Sequence, residues 1–234
     1  MSFFIENAQS EELEAISYAR WLEGREVFLC GSGPSIKTAN REVIEKSEKV
    51  TMCINASFQF VRPDIWIGMD SPEIFNKGIW KYMENKERER RLPGLFHPTM
   101  DCIRICNWFY RDKIVNGFPL KKHNNVRFIC AAQSKEDNPQ FFGDFINFLF
   151  EGNTFSTALH ILAWLKPRKV YLVGCDFGGR RSGPRAPSPN RKINFKNSIE
   201  ALRFADEKSP VKYISCTPGS PINEFLEYKN IEDV

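Results

Sequence analysis

The stretch Val27-Phe28-Leu29-Cys30-Gly31-Ser32-Gly33-Pro34-Ser35 (VFLCGSGPS, 27–35) decides how the rest of the chain is read. Four apolar residues run without alternation, which is the pattern of a strand buried on both faces. Two glycines follow, and these permit positive φ and close approach of the backbone to another group. Pro34 suits the first position of a helix, where its missing N–H costs nothing. Free amides at such a start, with the helix dipole behind them, form an anion site, and the hydroxyls of Ser32 and Ser35 add donors. The turn is not GxGxxG, because the third glycine is missing. It is not a Walker loop either, because no Gly-Lys-Ser/Thr follows. It reads as a phosphate-binding turn, or else as an ordinary tight strand-to-helix connection.

Working outward, the same kind of apolar run recurs. Val50–Ile54, Ile65–Met69, Val126–Cys130, Val170–Val173 and Val211–Cys216 are further strand candidates. Helical spacing falls between several of them, at 36–47, 154–165 and 198–207, and also before the first strand at 11–23. Strands alternating with helices predict an α/β fold with a Rossmann-like open, mostly parallel sheet flanked by helices. The expectation is a single domain over 1–234. Residues 73–151 are an aromatic-rich insertion that would serve the acceptor. Phe141, Phe142, Phe145, Phe148 and Phe150 fall within ten positions there. The charged stretch 81–91 reads as a solvated helical face.

Composition sets the broad limits. The 234 residues are 42% hydrophobic and 26% charged, so general disorder and fibrous repeats are excluded. No apolar run reaches the 18 or so residues of a membrane span. The first ten residues do not read as a signal peptide. Seven scattered cysteines suit a reduced, cytoplasmic chain. The net charge of +4 is too small to argue for a nucleic-acid partner. A homo-oligomer is left open.

In an open parallel sheet, ligands bind beyond the carboxyl ends of the strands. The residues found there are therefore the candidates. Asn55 follows the second strand, where it contacts a ligand or caps the next turn. Asp70 and Ser71 follow the third, and the Asp70 carboxylate could hold Mg²⁺ bridging to phosphates, or simply cap a helix. Asn153 and Thr154 open a helix rich in small residues. Asp176 follows the strand Val170–Val173. Two carboxylates converging on one cleft suit metal-dependent phosphoryl transfer, so Asp70 and Asp176 are the catalytic candidates, with Asp70 as metal ligand. The stretch 178–196 carries six Lys/Arg, no acid, three Gly and three Pro. Arg180, Arg181, Arg185, Arg191 and Lys192 would make a mobile basic lid over polyphosphate; the bland alternative is a solvated loop. The three histidines form no constellation, and His160 sits in an apolar helix. Cys102 and Cys106, four apart on a possible helix face, read as core rather than as a zinc site.

Taken together, VFLCGSGPSIK (27–37), CINASFQFVRPDIWIGMDSP (53–72), GNTFSTALHILAWLKPRKVYLVGCDFGG (152–179) and, more weakly, VKYISCTPGSPINEF (211–225) carry a resemblance. The chain resembles the archaeal 6-hydroxymethylpterin diphosphokinase (MptE-like) family, also called domain of unknown function 115. It is remotely similar to the sialyltransferases of glycosyltransferase family 42. The resemblance implies that Gly31, Ser32, Gly33, Pro34 and Ser35 take nucleotide phosphates and that Asn55 and Asp70 line the cleft. It further implies that Asn153 and Thr154 contact the nucleotide, with Asp176 closing the far side. The diphosphokinases use Mg²⁺ to transfer diphosphate from ATP to a small hydroxyl acceptor. The sialyltransferases use a CMP-sugar and a loop histidine as base, and both that histidine and their assisting tyrosines are missing here. The leading expectation is thus Mg²⁺-dependent phosphoryl or diphosphoryl transfer from a nucleotide such as ATP. The alternatives are a nucleotide-sugar glycosyltransferase of surface polysaccharide synthesis, using a CMP- or UDP-type donor and a sugar acceptor, and a non-catalytic nucleotide-binding protein.

Overall fold

The computed structural model describes residues 5–7, 22–74, 77–80, 102–115, 118–120, 126–129, 154–178 and 195–234. Their strands are β1 (Ile5–Asn7), β2 (Glu26–Cys30), β3 (Val50–Ile54), β4 (Ile65–Gly68) and β5 (Ile103–Asn107), a short β6–β7 pair (Ile114–Val115, Phe118–Pro119), then β8 (Val126–Ile129), β9 (Lys169–Val173), β10 (Lys212–Ser215) and β11 (Glu227–Tyr228). The helices are α1 (Arg41–Lys46), α2 (Thr154–Leu165) and α3 (Lys196–Lys208). Nine strands form one sheet in the order β1-β8-β5-β4-β3-β2-β9-β10-β11. Every neighbouring pair is parallel except β1 with β8. The α/β, Rossmann-like expectation holds.

The non-alternating runs are explained by two cores. Val27 and Leu29 point to one face, with Met52, Ile67 and Leu172, where Leu162 of α2 and Leu202 of α3 cover them. Phe28 and Cys30 point to the other, with Cys53, Trp66 and Tyr171, beneath Ile36 and Ile44. A strand apolar at every position is what two covered faces require. All six described cysteines are buried thiols. Among the described residues no helix is long and apolar enough to cross a membrane.

Three expectations need correction. The helix expected over 36–47 is split into a 3₁₀ turn, Pro34–Lys37, and α1. Asn40 intervenes, and its side chain accepts from the Glu42 and Val43 amides as an N-cap, which starts a new helix. Cys106 lies on strand β5 and Cys102 just before it, not on a helix face. Moreover, β5 and β8, both inside the stretch set apart as an insertion, are strands of the main sheet. β5 was missed because Cys102 and Cys106, four apart, suggested a helix face, and its Arg104 is a buried charge. Its Nε donates to the Ile79 carbonyl (2.6 Å) and Nη1 to that of Cys102 (3.3 Å), so the buried cation is hydrogen-bonded. The helix expected at 11–23 lies outside the described residues up to Trp21, and Leu22–Gly24 form a turn. The 81–91 stretch and the phenylalanine cluster 141–150 also lie outside them.

His160 is buried on α2, and burial lowers its pKa to about 4. The unfolded chain therefore binds a proton below about pH 6.5 that the folded chain does not take up until about pH 4. Stability should fall as pH drops through that window, by about 2 kcal/mol between pH 7 and 5. Urea unfolding at the two pH values measures this, and His160→Leu should flatten the difference.

Candidate functional site

β2 connects to β3 on one side, while its other neighbour β9 enters from far along the chain and continues outward to β10. The strand order reverses between β2 and β9, and that is where an open α/β sheet forms its crevice. A cleft of about 90 Å³ lies there, beyond the carboxyl ends of both strands. Its walls are the β2 turn (Gly31, Ser32, Gly33), the end of β3 (Ile54, Asn55), the β9 turn (Gly174 to Phe177) and the starts of α2 and α3 (Phe155, Phe195, Ser198).

The two turns are fastened to each other. Gly31 N–H donates to the Val173 carbonyl (2.7 Å) and Gly33 N–H to that of Gly174 (2.8 Å). The Ser35 amide donates to both oxygens of Asp176 (3.3 and 3.2 Å), and its hydroxyl to Oδ2 (2.8 Å). Contact is so close that a Cβ on Gly33 would lie 2.0 Å from Asp176 Oδ2, and one on Gly31 would lie 2.5 Å from the Gly174 carbonyl oxygen. Gly174 itself has φ +68°, which favours glycine. The glycines that suggested approach of a ligand thus admit the protein's own carboxylate and carbonyl.

This arrangement redistributes the expected roles. Ser35, named for phosphate, directs both donors at Asp176, and Pro34 has no N–H to offer. Asp176 fills the anion position at the start of the Pro34–Lys37 turn. Among the described lining residues it is the one carboxylate, and no lysine, arginine or histidine joins it. Asp70 is exposed after β4, and neither it nor Ser71 lines the cleft. Two strand spacings, about 10 Å, separate β4 from β2. Asp70 thus does not join Asp176 among the described residues lining this cleft, and no group of three or more His, Cys, Asp or Glu able to hold a metal occurs among the described residues. With Asp176 bonded to Ser35 and Asp70 off the cleft, the residues present do not fit the suspected Mg²⁺.

Asn55 lies in the cleft wall with φ +51°, a left-handed conformation that asparagine tolerates better than most residues. Its carbonyl accepts from Trp66 Nε1 (2.8 Å), and its Oδ1 accepts from the Thr154 hydroxyl (3.0 Å) at the start of α2. Asn55 and Thr154, named separately from the sequence, are thus a bonded pair. The opposite wall is aromatic. Phe177 packs edge-on against Phe155 (5.1 Å between centroids) and Phe195 (5.8 Å). Aromatic spacing in the sequence gave no sign of this trio, since its members come from three separate elements. Burial pushes the Cys175 thiol up, so it stays protonated while the turn is closed. Asn153 and the basic residues Arg180, Arg181, Arg185, Arg191 and Lys192 lie outside the described residues.

Chemically, the described cleft offers a polar floor, an aromatic wall and two helix starts. The N-terminal ends of α2 and α3, through their helix dipoles, favour an anionic group.

Comparison with solved structures finds the same fold in bacterial sialyltransferases. CstII from Campylobacter jejuni, in complex with the substrate analogue cytidine-5′-monophosphate, aligns with TM-score 0.53 at 13% identity, covering 89% of this chain and 86% of that one. CST-II in complex with a trisaccharide acceptor and CMP gives 0.52 at 13% identity, over 88% and 87%. The monofunctional α-2,3-sialyltransferase Cst-I from Campylobacter jejuni gives 0.52 at 12% identity, over 89% and 81%. No family model matches the sequence, and no curated protein matches it.

Asp176→Ala leaves both half-buried Ser35 donors, amide and hydroxyl, without their acceptor, whereas Ser35→Ala removes the hydroxyl bond and keeps the amide bonds to Asp176. Asp176→Ala should lower stability by about 1–3 kcal/mol and Ser35→Ala by about 1 kcal/mol. The double variant should cost clearly less than the sum, and urea unfolding of the four proteins measures that coupling. Costs that simply add would mean the hydroxyl–carboxylate bond is not formed in solution.

The chain shares the fold of these sialyltransferases, with its cleft at the point where the strand order reverses.

Proposed function

We propose that the chain is a nucleotide-binding transferase whose donor is a nucleotide sugar of the CMP type. The reading rests on one observation: the cleft opens at the β2/β9 reversal of a sheet shared with proteins solved with CMP bound. Of the two chemistries the sequence raised, glycosyl transfer is better supported than phosphoryl transfer. The latter needed Asp70 and Asp176 in one cleft, and Asp70 is not a lining residue.

In this reading the ligand's base and sugar lie between the Gly31–Gly33 backbone and the Phe155–Phe177–Phe195 wall. Asn55, braced by Thr154, presents its side-chain amide. The starts of α2 and α3 face the phosphate. Asp176 keeps the Gly31–Ser35 turn in shape. The basic residues Arg180, Arg181, Arg185, Arg191 and Lys192 offset phosphate charge, and the acceptor is a sugar hydroxyl. The proposal assigns no loop histidine as base, since 178–196 contains none.

A thermal-shift panel of CMP, UDP, GTP and ATP, with and without Mg²⁺, tests the proposal. A ligand at 100 times its Kd stabilises by about 2.7 kcal/mol. For a chain of this size that is a rise of about 5–10 °C. CMP should give such a shift without Mg²⁺. Asn55→Ala should reduce it, and Asp70→Ala should leave it unchanged. A larger shift with Mg²⁺-ATP than with CMP would overturn the proposal in favour of phosphoryl transfer.

A further inference from the structure

The segment after β10, Cys216-Thr217-Pro218-Gly219-Ser220-Pro221-Ile222-Asn223, lines none of the cleft, yet it holds the cleft's most constrained turn. Beyond β9 the chain leaves the sheet through Gly174 (φ +68°) and turns again at Phe177 (φ +48°). A left-handed bulky residue is unfavourable unless its surroundings impose it. Between the two lie Cys175 and Asp176.

The Cys175 peptide is held from both sides. Its N–H donates to Thr217 Oγ1 (3.1 Å), and the same hydroxyl donates onward to the Leu172 carbonyl (3.0 Å). Its carbonyl accepts from the Ser220 hydroxyl (2.7 Å). Thr217 is fully buried and Ser220 nearly so. Only a hydroxyl can accept from one backbone group and donate to the next in so small a space. Gly219, at φ +67°, makes the bend between the two, and the Asn223 side-chain amide donates to the Thr217 carbonyl (3.1 Å), which ties the bend to the following 3₁₀ turn.

From this geometry we infer that Thr217 and Ser220 are positioning residues of the cleft. By fixing the Cys175 peptide they set Asp176 against Ser35 and place Phe177 between Phe155 and Phe195. They touch no ligand. Their effect on nucleotide binding rests on the reading proposed above, whereas their effect on the turn does not.

The experiment keeps the two apart. Thr217→Val removes the hydroxyl at constant shape, Ser220→Ala removes the second clamp, and Thr217→Ser restores a hydroxyl. The first readout is the alkylation rate of Cys175 in the native protein, followed by peptide mapping, with the buried thiols Cys30 and Cys53 as internal controls. The second is the CMP concentration needed for half the thermal shift. Thr217→Val and Ser220→Ala should raise Cys175 labelling about tenfold, the factor that a lost hydrogen bond of typical strength supplies, with Cys30 and Cys53 unchanged. The same variants should weaken CMP by a similar factor, and Thr217→Ser should behave as the parent. Cys175 labelling at the parent rate in both variants, or a parallel rise at Cys30 and Cys53, would overturn the inference. If the parent protein gives no CMP shift, the nucleotide reading fails by itself, and Cys175 labelling still decides the clamp.

Discussion

The contact between Asp176 and the Ser35 amide and hydroxyl is the constraint on which the cleft depends. Two turns that leave neighbouring parallel strands would ordinarily diverge, because each must satisfy its own backbone groups. Here the β9 turn supplies the acceptors, two carbonyls and one carboxylate, and the β2 turn supplies the donors. The exchange demands glycine at 31, 33 and 174, since a Cβ at any of them would come within 3 Å of the opposite turn. Buried backbone groups need partners, and at this switch point each turn is the other's partner.

The same contact separates what could be read in the sequence from what could not. The double-sided burial of β2 was legible in Val27–Cys30, because four apolar residues in a row have only one economical home in an α/β fold. Gly31 and Gly33 were legible as places of close approach. What approaches them was not, because a glycine records the absence of a side chain and not the identity of the neighbour. Asp176 was likewise singled out by its place after a strand, as was Asp70. The rule that ligands bind at strand ends weights all such positions alike, but only those beside the reversal in strand order reach the crevice. Strand order is a long-range property, and β9 lies some 140 residues after β2 (Asp176 meets Ser35 across 141 positions).

Where local signals failed, a specific interaction had overridden them. β5 was read as a helix face from the Cys102–Cys106 spacing, whereas it is a strand whose buried Arg104 is met by carbonyls from Cys102 and from Ile79, 25 residues away. The helix expected from Ile36 was cut short by an Asn40 cap that periodicity does not see. Helix α2 was legible almost to the residue, because nothing interrupts its apolar pattern and its His160 is buried with the rest.

Electrostatics connects the described cleft to the stretch beyond it. Its walls hold one carboxylate, already engaged, and no cation among the described residues. Two helix starts supply only partial positive charge, equivalent to about half an elementary charge each. That is too little to balance a nucleoside monophosphate, whose phosphate carries nearly two negative charges near neutral pH. The chain leaves the cleft at Phe177, returns to it at Phe195, and carries six Lys/Arg over 178–196 with no acid. The whole-chain excess is only +4, so the remainder of the protein is net −2. The net positive charge therefore belongs to a segment whose two ends, Phe177 and Phe195, line the cleft.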